Sequence, residues 1–379
     1  MCRCEKPLAS TIMSFSIRHF LIFCIISLQS LTAIADSNTD AASFNKAYKQ
    51  YQHFDKADRP DKALPYAKQA YELGLSLFGE NDTKTAALAY NYGSVLLETR
   101  NTKEAEVILK TTLDLYETAY GKQGLELIDP LMSLGHANAE YGNSRYQKKY
   151  YSRALSIAEK HKGGKSILYA DLLLEAGRET MHRSQTKDSG RYLVKSHKLY
   201  QSNYGTGHPK TGAAAFLIGT YELARKRYGK AKKYFLESLN TFENPDQPSS
   251  QAEMATHAFL VEVYEELNEP EKSTEHCLAI GRMTPYDPDQ EYRPLYKRQP
   301  KYPMSALRTG HEGHAIVEFT VGSNGMVYDA KAIESSGSKS FENAAVEAAK
   351  QFRYAPRFVD GEPVPTEGVQ NMITFEIAD

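Results

Sequence analysis

The chain has 379 residues, enough for more than one domain, with 41% hydrophobic and 25% charged residues, an ordinary composition for a folded soluble protein. A net charge of -1 excludes a global field that would gather nucleic acid or an anionic membrane surface. With no Trp and 26 Tyr, aromatic packing must rest mostly on Tyr and Phe.

The N-terminal segment reads as a targeting signal. Arg18 and His19 precede an apolar run from Phe20 to Ala35, which ends in the small-x-small pattern Ala33-Ile34-Ala35 just before Asp36. A spanning helix needs roughly 20 apolar residues. This run is shorter and holds Ser27, Gln29, Ser30 and Thr32. Residues 1–35 are therefore expected to be a cleaved signal peptide, with Met13 a possible true start. The alternative is an uncleaved inner-membrane anchor. Cys2, Cys4 and Cys24 belong to this segment, so Cys277 is the one cysteine of the body and no internal disulfide framework exists.

The middle of the chain repeats with a period of 42 residues: Gly93, Gly135, Gly177 and Gly219 form one series, and Gly79, Gly121, Gly163 and Gly205 a second. Each unit reads as two helices. The first glycine series lets the two helices approach closely. In the second helix a small residue recurs, with Ala63, Ala105, Ala231 and Ser273 in register and Gln147 and Ser189 as departures. Four residues on stand Ala67, Leu109, Tyr151, Leu193, Phe235 and Cys277, a buried helix stripe. Cys277 is thereby expected to be a buried structural thiol. The second glycine series follows Phe78, Tyr120 and Tyr204 and suits left-handed helix caps.

This spacing resembles the tetratricopeptide repeat. The unit opening Tyr204-Gly205-Thr206-Gly207-His208-Pro209-Lys210-Thr211 is similar to the long variant of kinesin light chains. Register places six units within residues 36–286, the outermost least regular. The resemblance implies a stack of helix pairs that binds an unknown protein or peptide on its surface, or serves as a spacer. Tyr146, Tyr150 and Tyr151 either line a groove or fill the seams between units.

The pattern changes after Pro285. Five prolines, from Pro285 to Pro303, stop the helices, and residues 287–299 read as a Pro-rich basic linker. Ala315–Val321 alternates as a strand. Gly322-Ser323-Asn324-Gly325 makes a hairpin turn, and a second strand runs from Met326 to Ile333. Ser340–Phe352 is an amphipathic helix with a stripe at Ala344, Ala345, Ala348 and Ala349, and Gly368–Ile377 is a last strand. The fold class expected is an α-helical repeat array followed by a small β-β-α-β domain at residues 300–379.

That order and its punctuation resemble the TonB C-terminal domain. The resemblance rests on Gln299-Pro300-Lys301-Tyr302-Pro303, Ala306, Gly313, Gly325, Ser335-Ser336-Gly337, the alanine stripe and Phe352-Arg353-Tyr354-Ala355-Pro356, where Phe replaces the family's usual Trp. It implies docking of the TonB box of outer-membrane receptors by strand addition, with ExbB and ExbD as motor partners and a periplasmic location. The docking role falls on Val369, Gln370, Asn371, Met372, Ile373, Thr374, Phe375, Glu376 and Ile377, and Gln299 and Pro300 belong to the segment that also meets receptors. Tyr302, Tyr354 and Pro356 are expected to pack the domain. The alternative is that the last strand is covered by its own linker or pairs in a dimer, and no peptide docks there.

Two departures weaken the energy-transducing role: a cleavable N-terminus, and helical repeats in place of a Pro-rich spacer. A non-transducing adaptor is the alternative. No catalytic set, cofactor fingerprint or metal cluster is legible, and the chain reads as a non-enzyme. His311 and His314 lack the i, i+4 spacing of a zinc protease, and Gly164-Lys165-Ser166 has Glu159 where a phosphate loop needs glycine. Basic residues balanced by acids along the helices argue against nucleic acid.

Overall fold

The computed structural model describes residues 35–140, 144–184, 187–243, 250–284 and 292–377. The apolar run read as a signal peptide lies outside them up to residue 34, as do residues 285–291, which include the first part of the linker. The chain divides into two compact units, one ending at Asn203 and the other beginning at Tyr204.

The first unit contains four helix pairs: α1 (Ala35–Lys56) with α2 (Pro60–Phe78), α3 (Thr83–Glu98) with α4 (Thr102–Tyr120), α5 (Ile128–Glu140) with α6 (Ser144–Lys162), and α7 (Ile167–Ser184) with α8 (Lys187–Tyr204). One close approach recurs. A β-carbon added to Gly93, Gly135 or Gly177 would stand 2.9, 2.4 or 2.8 Å from Leu109, Tyr151 or Leu193 on the second helix of the pair. All three partners are buried, and Leu109 and Tyr151 share a core with Tyr92, Leu127, Leu131 and Leu173. Tyr151 therefore fills a seam, Tyr150 packs half-buried on the same core, and Tyr146 is exposed.

Two members of the second glycine series differ from the expected cap. Gly79 has φ 87° and ψ 163°, and Gly121 has φ 76° and ψ 164°. This is extended backbone at positive φ, a region essentially restricted to glycine, and not the left-handed helical cap. The chain must turn out of one pair and straight into the next. In that conformation the Gly79 carbonyl accepts the Thr85 hydroxyl at 2.7 Å, which ties the turn to the start of α3.

The second unit contains α9 (Pro209–Ala224) with α10 (Tyr228–Phe242) and α11 (Gln251–Glu266) with α12 (Pro270–Met283). Gly219 meets Phe235, and the Gly205 carbonyl accepts the Thr211 hydroxyl at 2.8 Å, repeating the earlier contacts. Ser250 and Glu253 form a capping box at the start of α11.

The C-terminal part of this unit comprises α13 (Met304–Arg308), β1 (Gly313–Val321), β2 (Val327–Ser336), α14 (Ser340–Ala349), β3 (Arg357–Val359), β4 (Glu362–Val364) and β5 (Thr366–Phe375). The sheet order is β2-β1-β5, antiparallel throughout. Phe341, Ala345, Ala348 and Ala349 of α14 close the core over Ala315, Val317, Phe319 and Val321. Phe341 and Phe375 stack with ring centroids 4.4 Å apart. Two features are additional to the β-β-α-β reading: the single-turn helix α13 and the β3–β4 hairpin, whose strands of three residues each are too short to show a period.

Candidate functional site

Seven of the residues expected to meet a partner, Val369 to Phe375, lie on β5. Among the described residues β5 has β1 as its one neighbour in the sheet, so its other edge carries no strand. Side chains alternate along it. Val369, Ile373 and Phe375 are buried, Gln370 is exposed, and Met372 is 60% exposed. Glu376 and Ile377 follow the strand, and the Ile377 N–H donates to Glu312 Oε1 at 2.6 Å.

The two sheet edges are not equivalent. Pairing of β1 with β5 runs without a slip from Gly313↔Phe375 to Phe319↔Val369 and shifts once beyond it, before Val321↔Thr366, where Gly368 of β5 sits at φ 69°. Pairing of β1 with β2 slips twice, between Ile316 and Val317 and between Glu318 and Thr320, and Asp329 of β2 sits at φ 53°. Bulges of this kind spoil an edge as a template for another strand. The free edge of β5 is regular from Val369 to Phe375.

Gln299 and Pro300 are not on that edge. Gln299 is exposed and Pro300 buried. Two residues further, Tyr302 packs edge-on against Phe375 and Phe341, with centroids 5.7 Å away in both cases. The segment thus reaches the Phe375 end of β5. Tyr354 and Pro356 are buried, as packing residues should be, and Tyr302 is half-buried.

The stretch read as a linker is anchored from Tyr292 onward. The Leu295 and Tyr296 N–H groups donate to the Arg353 carbonyl at 2.7 and 3.2 Å, and the Arg353 N–H donates to the Tyr296 carbonyl at 3.0 Å. The Tyr292 hydroxyl donates to the Ala355 carbonyl at 2.6 Å. Its backbone bonds are therefore spent on the Phe352–Pro356 segment. The same segment reaches back to the helices. Arg353 Nε donates to Glu265 Oε1 of α11 at 2.5 Å, and the Tyr296 hydroxyl donates to Glu266 Oε1 at 2.8 Å. Burial pushes the Tyr296 hydroxyl up to about 12. Sequence reasoning missed Glu265 and Glu266, because two glutamates ending a helix look like any solvated face.

The sixth helix pair is shaped for this contact. Val261 stands at the position of the glycine series and Cys277 at the bulky position, and both are fully buried with Tyr296. A β-carbon on Gly325, at φ 74° in the β1–β2 turn, would lie 2.2 Å from the Tyr354 carbonyl oxygen and 3.2 Å from Cys277 Cβ. The small thiol thus gives the hairpin its seat, and burial pushes it up to about 12, so it stays protonated.

His311 and His314 bond separately, to the Thr309 and Ser336 hydroxyls. In the first unit burial pushes Asp129 of α5 and Glu175 of α7 up to about 7. In α11 and α12, His257 and His276 face each other with Nδ1 atoms 2.7 Å apart, and burial pushes both down to about 4.

Comparison with known proteins agrees with this geometry. Residues 298–377 match the Gram-negative bacterial TonB protein C-terminal family, and residues 54–118 match the tetratricopeptide repeat. Protein TonB of Vibrio cholerae serotype O1 is 35% identical over 66 residues, which is 17% of this chain and 27% of that protein. Protein TonB of Pseudomonas aeruginosa is 33% identical over 89 residues, 24% of this chain and 26% of that protein. The chain thus spans about a quarter of the length of the curated relatives it matches, 27% and 26%. The crystal structure of BtubC (BKLC) from P. vanneervenii is similar at 12% identity and a TM-score of 0.47, covering 70% of this chain and 98% of its own. The class is a helical-repeat protein ending in a sheet with a free regular edge. More particularly, the chain carries a TonB C-terminal domain behind tetratricopeptide repeats.

Proposed function

We propose that this is a periplasmic TonB-like protein that takes the TonB box of an outer-membrane transporter as an added strand along β5, over Val369 to Ile377. The observation that carries the reading is the pairing of Val369–Phe375 with β1, without a slip over that stretch, beside an edge that holds no strand among the described residues. Main-chain groups supply affinity in this mode, and alternate side chains supply specificity. The helix pairs hold a second protein or peptide. Gln299 adds a contact at the Phe375 end.

A photo-crosslinker in place of Met372, whose side chain is 60% exposed, tests the docking. A TonB-box peptide should be captured there and not from Tyr328 on β2. Capture from Tyr328 alone, in a chain with an unchanged circular dichroism spectrum, would reject β5 as the docking edge.

The run ending Ala33-Ile34-Ala35 favours a second reading of the whole chain, an adaptor without energy transduction. Coupling to ExbB and ExbD requires a retained membrane anchor. Mass spectrometry of the mature N-terminus separates the two: a start at Asp36 supports the adaptor, and retention of Phe20–Ala35 in the membrane fraction supports the transducer.

A further inference from the structure

We infer that the half-exposed face shared by α3, α5 and α7 of the first unit takes a lysine or arginine side chain of a bound peptide, held between the Asp129 and Glu175 carboxyls. The inference rests on the proposal that the helix pairs hold a second protein or peptide, and it names a residue that the peptide must carry.

These helices bury most of their surface and leave one stripe half-exposed. On α5 the stripe is Asp129, Ser133 and His136, at helical spacing. On α7 it includes Glu175, Arg178 and Glu179, and on α3 it includes Tyr90. The stripes converge. The Tyr90 and Ser133 hydroxyls are hydrogen-bonded, Tyr90 feels the charges of Asp129 and Glu175, and Glu175 feels that of Asp129.

The neighbouring acids are matched within the chain. Glu179 Oε1 accepts from Arg178 Nε at 3.0 Å, and its Oε2 meets His136 Nε2 at 3.2 Å. Asp171 Oδ1 accepts from the Tyr200 hydroxyl at 2.5 Å. Asp129 and Glu175 have no hydrogen bond or ion pair among the described residues. Arg178 attracts Glu175, yet two of its nitrogens sit 3.0 Å from Glu179 Oε1. Burial pushes both unmatched carboxyls up to about 7.

A second sign comes from α6. The Tyr151 hydroxyl is fully buried without a hydrogen-bond partner, and the acids in its electrostatic reach are Glu179 and Glu175. The Gln147 amide nitrogen, one turn earlier, is likewise buried and unpartnered. Neither group is exposed enough to touch a ligand. An ionised Glu175 is a stronger acceptor for the Tyr151 hydroxyl than the neutral acid. What completes the arrangement is a cation that keeps the carboxyls charged. A metal ion is disfavoured, because among the described residues no three His, Cys, Asp or Glu are gathered to hold one. An ammonium or guanidinium group brings charge and hydrogen-bond donors together.

The test selects peptides from a phage-displayed library on the full chain. Retained peptides that bind this face should share a lysine or arginine. The isosteric double variant Asp129→Asn/Glu175→Gln should bind them at least about thirtyfold more weakly, the size expected when one side of a buried charge pair is removed. Ser133→Arg, which lends the face a guanidinium of its own, should exclude the same peptides. Proton release needs no variant. At pH 7 each carboxyl is about half protonated, so calorimetry in buffers of different ionisation enthalpy should show about one proton leaving per peptide bound. Peptides that Ser133→Arg excludes, but that bind the double variant as tightly as the parent or release no proton, overturn the inference and leave peptide holding by the helices standing. A pool indifferent to all three substitutions, or no retained peptide, overturns both.

Discussion

Arg353 and Glu265 are 88 positions apart in the chain, yet Arg353 Nε sits 2.5 Å from Glu265 Oε1 with side chains only 9% and 12% exposed. The arginine of the Phe-Arg-Tyr-x-Pro motif thereby locks the C-terminal sheet to the last helix pair. Removing one partner of a buried ion pair strands the other charge, at a cost of about 3–5 kcal/mol. Glu265→Ala should therefore destabilise the second unit by that amount in urea denaturation. Pairing Glu265→Leu with Arg353→Met should recover most of the loss. A single variant that unfolds like the parent would mean the pair is open to water.

The glycines of close approach make a second prediction. A β-carbon on Gly135 meets the Tyr151 ring at 2.4 Å, and overpacking of this kind costs about 1–3 kcal/mol. Gly135→Ala should lower the stability of the first unit by that range. Gly325→Ala should cost more, because its β-carbon would meet backbone at 2.2 Å and its φ is 74°. Comparable urea midpoints for the two variants would contradict this ranking.

The two units should answer pH with opposite signs. Asp129 and Glu175 titrate at about 7 in the folded first unit, against about 4 unfolded. The folded state binds more protons between these values, so their contribution is complete below pH 4 and is lost as pH rises through 7. The first unit should be more stable at pH 5 than at pH 8, and Asp129→Asn combined with Glu175→Gln should flatten the slope. In the second unit His257 and His276 titrate at about 4 folded and near 6.5 unfolded. Their contribution is complete above pH 6.5 and is lost as pH falls to 4. Glu262, pushed up to about 7 by burial, opposes them by one proton. Hydrogen exchange read separately over α5–α7 and α11–α12 checks both signs.

Cys277 offers a probe of the same unit. Its thiol is fully buried and pushed up to about 12, so at neutral pH it is neither accessible nor ionised. Iodoacetamide should label it only as fast as the second unit opens. Glu265→Ala should accelerate the labelling, and rapid labelling of the native parent chain would contradict the packing around the β1–β2 turn.

Much of this architecture was legible because it repeats. Gly93, Gly135, Gly177 and Gly219 announce helix pairs, and the sixteen-residue step to Leu109, Tyr151, Leu193 and Phe235 names what each glycine touches. The sheet strands showed alternation, and Phe352–Pro356 carried a family signature. The conformation of Gly79 was misread because a helix cap and an extended exit both demand positive φ, and sequence does not tell them apart. β5 was legible as a strand. The irregularity of its rival β2 was not, because a bulge depends on pairing across the sheet. The role of Arg353 was hidden for the same reason: its partner Glu265 is remote in sequence and ordinary in context.

The reversal of sizes at the ends of the series bears on how such a chain can change over generations. Four internal pairs set glycine against a bulky residue, whereas Tyr51 lies with Ala67 at one end and Val261 with Cys277 at the other. The internal pairs repeat one contact, so unequal recombination in steps of 42 residues would join a glycine helix to a bulky-residue helix each time. The last pair has no such freedom, because its small thiol receives Gly325 and its Glu265 receives Arg353. Relatives of this chain should differ in repeat number while inheriting residues 251–377 as a single cassette.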